Sequence, residues 1–249
     1  MTGPSDGVHA LTQAPWRWEW VPPAARGQDV RAAWTGHLVA LFEEWTRAGL
    51  ATARAAWPGD AETAFPVTGD LVGRGVAAWL LERADRLPPW ARLAWGAVFL
   101  DECPHWAPVP VIVEFRRPAG PDPGYLMDDV GATGRPGDAR EPVIDYVTTP
   151  AGEGVRVFAL ARTVEGAAYG RLDAALRLEV PAGHGMAGDG VAGDGVDVRL
   201  TAVVFELGLM ALIGPGVEQL MQLIAAESGP QADRGRPWLR FTASAGGGH

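Results

Sequence analysis

The sequence predicts an α+β domain, mainly an antiparallel β-meander covered by helices, in the order strand, two helices, six strands, one helix. Three observations carry this. From residue 93 onward the apolar period changes from helical to two. The segments PAGEG and VEGAA are Gly-containing connections of hairpin length, which joins their flanking strands as a meander. Most clearly, Leu172, Ala174, Leu176, Leu178 and Val180 oppose Asp173, Ala175, Arg177 and Glu179. Likewise Val196, Val198, Leu200, Ala202 and Val204 alternate with Asp197, Arg199 and Thr201. Such patterning belongs to an antiparallel sheet with one face buried and the other expected to be largely wet.

The elements follow in order. WRWEWV alternates Trp16, Trp18 and Trp20 with Arg17 and Glu19, a short half-buried strand that Pro22-Pro23 ends. Asp29 can cap a helix reaching Trp57, where Pro58-Gly59 stops it; Trp34, Leu38, Leu41, Trp45 and Ala48 form its apolar stripe. A second helix follows Gly69-Asp70, places Val72, Val76, Trp79, Leu80 and Arg83 on one side, and ends before Pro88-Pro89. Its Gly73 and Gly75 each weaken it by roughly 1 kcal/mol relative to Ala. Strands are expected at 93–100, 109–117, 143–149, 155–163, 170–180 and 196–206. Gly214-Pro215-Gly216 then starts a last helix with the stripe Val217, Leu220, Met221, Ile224. The domain is expected over 14–227, between a flexible lead at 1–13 and a flexible tail at 228–249. This element order resembles that of the helix-grip proteins, which curl an antiparallel sheet around a C-terminal helix. The resemblance implies an apolar ligand between sheet and helix.

Composition narrows the chemistry. The chain has no lysine and no asparagine, and its serines are Ser5, Ser228 and Ser244, near the two ends. A Schiff-base or phosphate-loop lysine and a serine nucleophile on a central elbow are thereby excluded. All 21 basic residues are Arg, the imprint expected of a GC-rich coding sequence. A formal charge of −9 argues against binding nucleic acid or an anionic membrane surface. One cysteine offers no intramolecular disulfide, the N-terminus has no secretory pattern, and no apolar run approaches the roughly 18 residues of a span. A cytoplasmic, soluble protein is expected.

Asp101, Glu102, Cys103 and His105 are the densest reactive cluster. A thiol near an imidazole can be activated, but adjacent carboxylates raise a thiol's pKa, and one Cys with one His is short of a structural zinc set. The cluster reads first as a polar turn between strands. The segment 118–142 is the longest stretch without periodicity and reads as a packed loop, with a ligand-facing role or cation binding by Asp122, Asp128, Asp129 and Asp138 as alternatives. AGDGV-AGDGV at 187–196 reads as a lengthened hairpin tip beside an inert His184. Ten of the eleven tryptophans precede residue 107, at periods that suit a core better than a ligand wall. His37 reads as a boundary residue of the first long helix. In the tail, Trp238, Leu239 and Phe241 lie beside Arg236 and Arg240, a basic aromatic segment suited either to docking on a partner or to folding back as an edge strand.

The sequence thus favours a non-catalytic binding or accessory protein with a protein partner and no cofactor or metal. The alternative is a helix-grip-like protein holding an apolar small molecule, or a cofactor-free enzyme. A cavity of roughly 300 Å³ or more between sheet and helix would favour the alternative. A solid core with exposed apolar surface would favour the interaction protein. No oligomeric state is legible.

Overall fold

A computed structural model describes residues 16–59, 63–98, 108–178 and 195–227. The chain divides into two compact units, Trp20–Pro88 on one side, Met1–Glu19 with Pro89–His249 on the other.

Within Trp20–Pro88, helix α1 (Gln28–Ala55) packs on helix α2 (Gly69–Asp85). The Thr68 hydroxyl caps α2 by accepting from the Leu71 N–H at 3.2 Å. The buried line runs through Leu38, Leu41, Phe42 and Thr46 on α1 and through Gly73, Ala77, Leu80 and Ala84 on α2. It is displaced from the expected stripes: Trp34, Trp45, Val72, Val76 and Trp79 are half-buried, and Ala48 and Arg83 are exposed. The reason is close approach. A Cβ on Gly73 would lie 2.6 Å from the Val39 Cα, and one on Gly69 would lie 2.7 Å from the Glu43 Cα. Small residues therefore take the contact line and the larger ones flank it. Gly73 is a packing residue rather than the helix weakener read from its type; Gly75 has open space around it.

The other unit is built on a seven-stranded antiparallel sheet: β1 (Trp16–Trp20), β2 (Ala91–Val98), β3 (Val109–Arg116), β4 (Val143–Thr149), β5 (Gly152–Arg162), β6 (Ala168–Leu178) and β7 (Val196–Val204). The spatial order is β1-β2-β3-β7-β6-β5-β4. The expected meander is present as β4-β5-β6. The last strand, β7, lies between β3 and β6, so the chain leaving β3 crosses to the far edge before β4 begins. Four strand spacings separate β3 from β4, about 19 Å. That distance explains the long aperiodic segment 118–142. It contains one short helix, α3 (Tyr125–Asp129).

Helix α4 (Met210–Glu227) lies on one face of this sheet. It starts earlier than the Gly-Pro-Gly signal implied and carries Pro215 inside it. The apolar segment before the proline buries Leu212 and Ile213, and that burial outweighs the backbone hydrogen bond Pro215 removes. With its preceding turn, the helix spans Leu207–Glu227, within which an 18-residue window has a mean hydropathy of 1.4 and is, by length and composition, apolar enough to cross a membrane. The expectation that no run would qualify is corrected. Burial accounts for the hydropathy, because 56% of that window is buried inside the structure.

Sheet and helix touch through glycines. A Cβ at Gly154 of β5 would sit 2.6 Å from the Met221 Cε, one at Gly170 of β6 would sit 3.0 Å from Met210, and one at Gly216 of α4 would sit 2.4 Å from the Trp16 ring. Trp18 covers Gly96 of β2 in the same way at 2.5 Å, and Trp16 and Trp18 stack at 5.2 Å. Leu172, Leu176, Val198 and Val204 are buried beneath α4 as the alternation requires. Leu176→Ala is expected to cost roughly 2–5 kcal/mol in urea denaturation, because the Leu packs in a filled interface.

Candidate functional site

The opposite face of the sheet departs from expectation. Register places Arg171, Asp173, Ala175 and Arg177 of β6 beside Asp197, Arg199 and Thr201 of β7 and Val155 and Val157 of β5. That face was expected to be wet, with Arg177 and Arg199 much more exposed than the apolar face. Instead Asp173 and Ala175 are fully buried, and the side chains of Arg177 and Arg199 retain only 17% and 19% of their exposure. Glu179 lies outside the described residues.

The cover is the 118–142 crossover. Leu126, Val130 and Ala132 pack on Val155, Val157 and Ala175. Polar groups pin the rest. Asp173 lies 3.3 Å from Arg135, 3.3 Å from Arg171 and 3.2 Å from Arg199. Asp138 joins Arg171 at 3.0 Å and accepts from the Arg135 N–H at 2.7 Å. Asp129 and Glu114 both pair with Arg116. At the other end the Tyr125 hydroxyl donates to Asp197, which also accepts from Arg177 at 2.9 Å, while Arg177 reaches the Pro121 carbonyl at 2.8 Å. The hydrogen bond with Asp197 holds the Arg177 guanidinium above its ordinary pKa, as Glu114 does for Arg116. Four arginines (116, 135, 171 and 199) are thus matched by four carboxylates (Glu114, Asp129, Asp138 and Asp173), a neutral layer beneath a crossover. An array in which every charge has an opposite partner, buried at Asp173, Asp138 and Arg171 and half-exposed at Arg116 and Arg135, suits a structural role.

Three of the four acids considered for a cation are used otherwise. Asp129 and Asp138 face arginines, and Asp122 closes a turn by accepting from the Gly124 N–H at 2.9 Å. Asp128 is exposed on α3. Asp101, Glu102, Cys103 and His105, the AGDGV repeat, His184 and the tail residues Arg236, Trp238, Leu239, Arg240 and Phe241 lie outside the described residues. His37 is half-buried on α1, as a boundary residue would be.

Two surface features are built from described residues. In Trp20–Pro88, an open groove of about 560 Å³ is lined by Gln28, Arg31, Thr35, Arg74 and Asp85 among others. Its charges are already paired, Arg31 with Asp85 and Arg74 with Asp70, both at 2.8 Å.

The second feature is the free edge of β4. A two-residue turn joins Thr149 to Gly152, which makes that pair hydrogen-bonded, and the odd-numbered residues of β4 share the ladder with β5. The even-numbered Ile144, Tyr146 and Thr148 therefore aim their N–H and C=O groups away from the sheet. Gln222 of α4 donates to the Thr148 carbonyl, which agrees with this parity. Ile144 and Tyr146 are also exposed as side chains, at 38% and 70%, with Val143 beside them at 51%. Sequence reading passed over these residues. The available signal was apolar character on both faces of VIDYVTT, unlike the clean alternation of β6 and β7.

Burial at the end of α4 pushes the Glu227 carboxyl up from its ordinary 4.5 to about 7. The folded value exceeds the unfolded one, so its contribution is fully present below 4.5 and is lost as pH rises through 7. Glu227→Gln should therefore melt progressively higher than the parent between pH 5 and pH 8. Calorimetric melting curves that stay parallel across that window would refute the assignment.

No family model, no curated protein and no solved structure matches the chain.

Proposed function

We propose that this chain is a non-catalytic binding protein that engages an extended segment of a protein partner by strand addition at the free edge of β4. One observation carries the reading: Ile144 and Tyr146 present both outward backbone hydrogen-bonding groups and exposed apolar side chains on the same strand. Backbone pairing supplies affinity in this mode and the flanking side chains supply selectivity. Proteins usually blunt such edges with lysine, proline or a bulge. Here Pro142 and Pro150 limit the strand's length and leave its middle open. The close contact of α4 with the sheet at Gly154, Gly170 and Gly216 supports this reading over an apolar-ligand pocket. A single cysteine suits a reducing, cytoplasmic setting.

The test uses a photo-crosslinking phenylalanine analogue at Tyr146 in cells of the native host. A discrete adduct is expected, abolished by Ile144→Lys, while the probe at Val164, fully exposed in the β5–β6 turn, yields none of it. Identical adducts from both positions, or none from Tyr146, would refute strand addition.

A further inference from the structure

We propose that the resident occupant of the β4 edge is this chain's own C-terminal segment, residues 237–241 (PWLRF), added as an eighth strand. The inference rests on the β4 edge being the binding surface, and it names what covers that surface until a partner displaces it.

The first argument is where the described chain ends. Gln222 contacts the Thr148 carbonyl, so the last turns of α4 run beside the C-terminal end of β4. Glu227 is five residues further on, about 7.5 Å along the helix. From there residues 228–236 can span about 30 Å, and β4 itself is about 23 Å long. PWLRF can therefore reach any part of the edge within the same molecule.

The second argument is alternation. In an extended WLRFT, Leu239 and Phe241 share one face, while Trp238, Arg240 and Thr242 share the other. On β4, Ile144 and Tyr146 share one face, and Val143, Asp145 and Val147 share the other. One register brings Leu239 and Phe241 beside Ile144 and Tyr146, and the same register brings Arg240 beside Asp145. Pro237 begins the segment, a position an added strand tolerates.

The third argument is charge. Asp145 and Glu218 share one counter-ion, Arg156, and remain about half exposed along this edge, and Glu141 and Glu153 flank it. The segment brings Arg234, Arg236 and Arg240. A second copy of a chain carrying −9 would instead bring like charge to the same edge.

The experiment uses the full chain. Amide hydrogen exchange at Ile144 and Tyr146 is compared between the parent and the variant Leu239→Asp/Phe241→Asp. Exchange there should speed up at least tenfold in the variant, with the central β6 amides unchanged. In a Cys103→Ser background, Tyr146→Cys is also combined with Leu239→Cys or Phe241→Cys and mildly oxidised. An internal disulfide within a monomeric chain is expected from at least one pair. A disulfide only between chains would overturn the proposal in favour of a second copy. Unchanged exchange with no disulfide would overturn it outright, and the crosslink at Tyr146 would still decide separately whether a partner binds the edge. If the tail is the occupant, Leu239→Asp/Phe241→Asp raises the yield of that partner crosslink.

Discussion

Replacing Asp173 with alanine should cost about 3–5 kcal/mol, enough to bring a domain of ordinary stability to the edge of unfolding. The carboxylate is fully buried and is shared by Arg135, Arg171 and Arg199 at 3.2–3.3 Å. Truncation leaves three guanidiniums facing one another under the crossover, with Glu114, Asp129 and Asp138 to offset them from its edges. Urea midpoints at constant slope measure the cost. Limited proteolysis between Arg116 and Val143 reports whether the crossover lifts before the sheet melts. A loss below 1 kcal/mol would mean that Leu126, Val130 and Ala132 hold the crossover unaided. The complementary variant, in which Asp138, Asp173, Arg135 and Arg171 are all changed to Leu, removes two charges of each sign and leaves Arg116 and Arg199 with Glu114 and Asp129. It should recover much of the loss, because an apolar layer of similar volume often replaces a buried ion array without penalty.

Gly216→Ala should destabilise by about 1–3 kcal/mol, against alanine's advantage of roughly 1 kcal/mol in a helix. The added methyl would meet the Trp16 indole at 2.4 Å, and that ring is stacked on Trp18 with only 11° between the planes. It has nowhere cheap to move. Gly49→Ala on α1 is the matched control, since nothing lies within 4 Å of its added carbon. That variant should gain about 0.5–1 kcal/mol. Opposite signs for one substitution type separate packing from propensity; equal signs would remove the close-contact account of the α4 interface.

The parts of the fold visible in the sequence are those governed by period and punctuation. Leu172, Leu176, Val198 and Val204 repeat every two residues over a long run, and a single-residue slip would expose all of them. The same alternation misread the other face. Asp173, Arg177 and Arg199 look alike whether they meet water or partners, and their partners on the crossover (Arg135, Tyr125 and Asp129) lie 38, 52 and 70 residues away. The clue was a matched set of charges in a non-periodic segment: Asp129, Arg135 and Asp138. The contact line of α2 was missed because Gly73 and Ala77 carry little hydrophobic signal, yet smallness is what the contact requires. The β4 edge was hidden for a related reason. Whether a strand has one neighbour or two is a property of topology, and the apolar character on both faces of VIDYVTT does not say which side stays open.

The insertion of β7 between β3 and β6 imposes an order on biosynthesis. As the chain emerges, β1 to β3 can pair as one ribbon and β4 to β6 as another, but neither can join the other until residues 196–204 arrive. Until then the nascent protein carries two additional unsatisfied borders, at β3 and β6, both rich in valine, leucine or alanine. The final strand pairs with β6, the strand just before it, and with β3, whose partners lie 81 to 91 residues back; that long-range pairing makes closure the slow step and the open ribbons the species most exposed to aggregation. Ribosome-stalled chains ending before residue 196 should consequently depend on chaperones more heavily than chains in which α4 has cleared the exit tunnel.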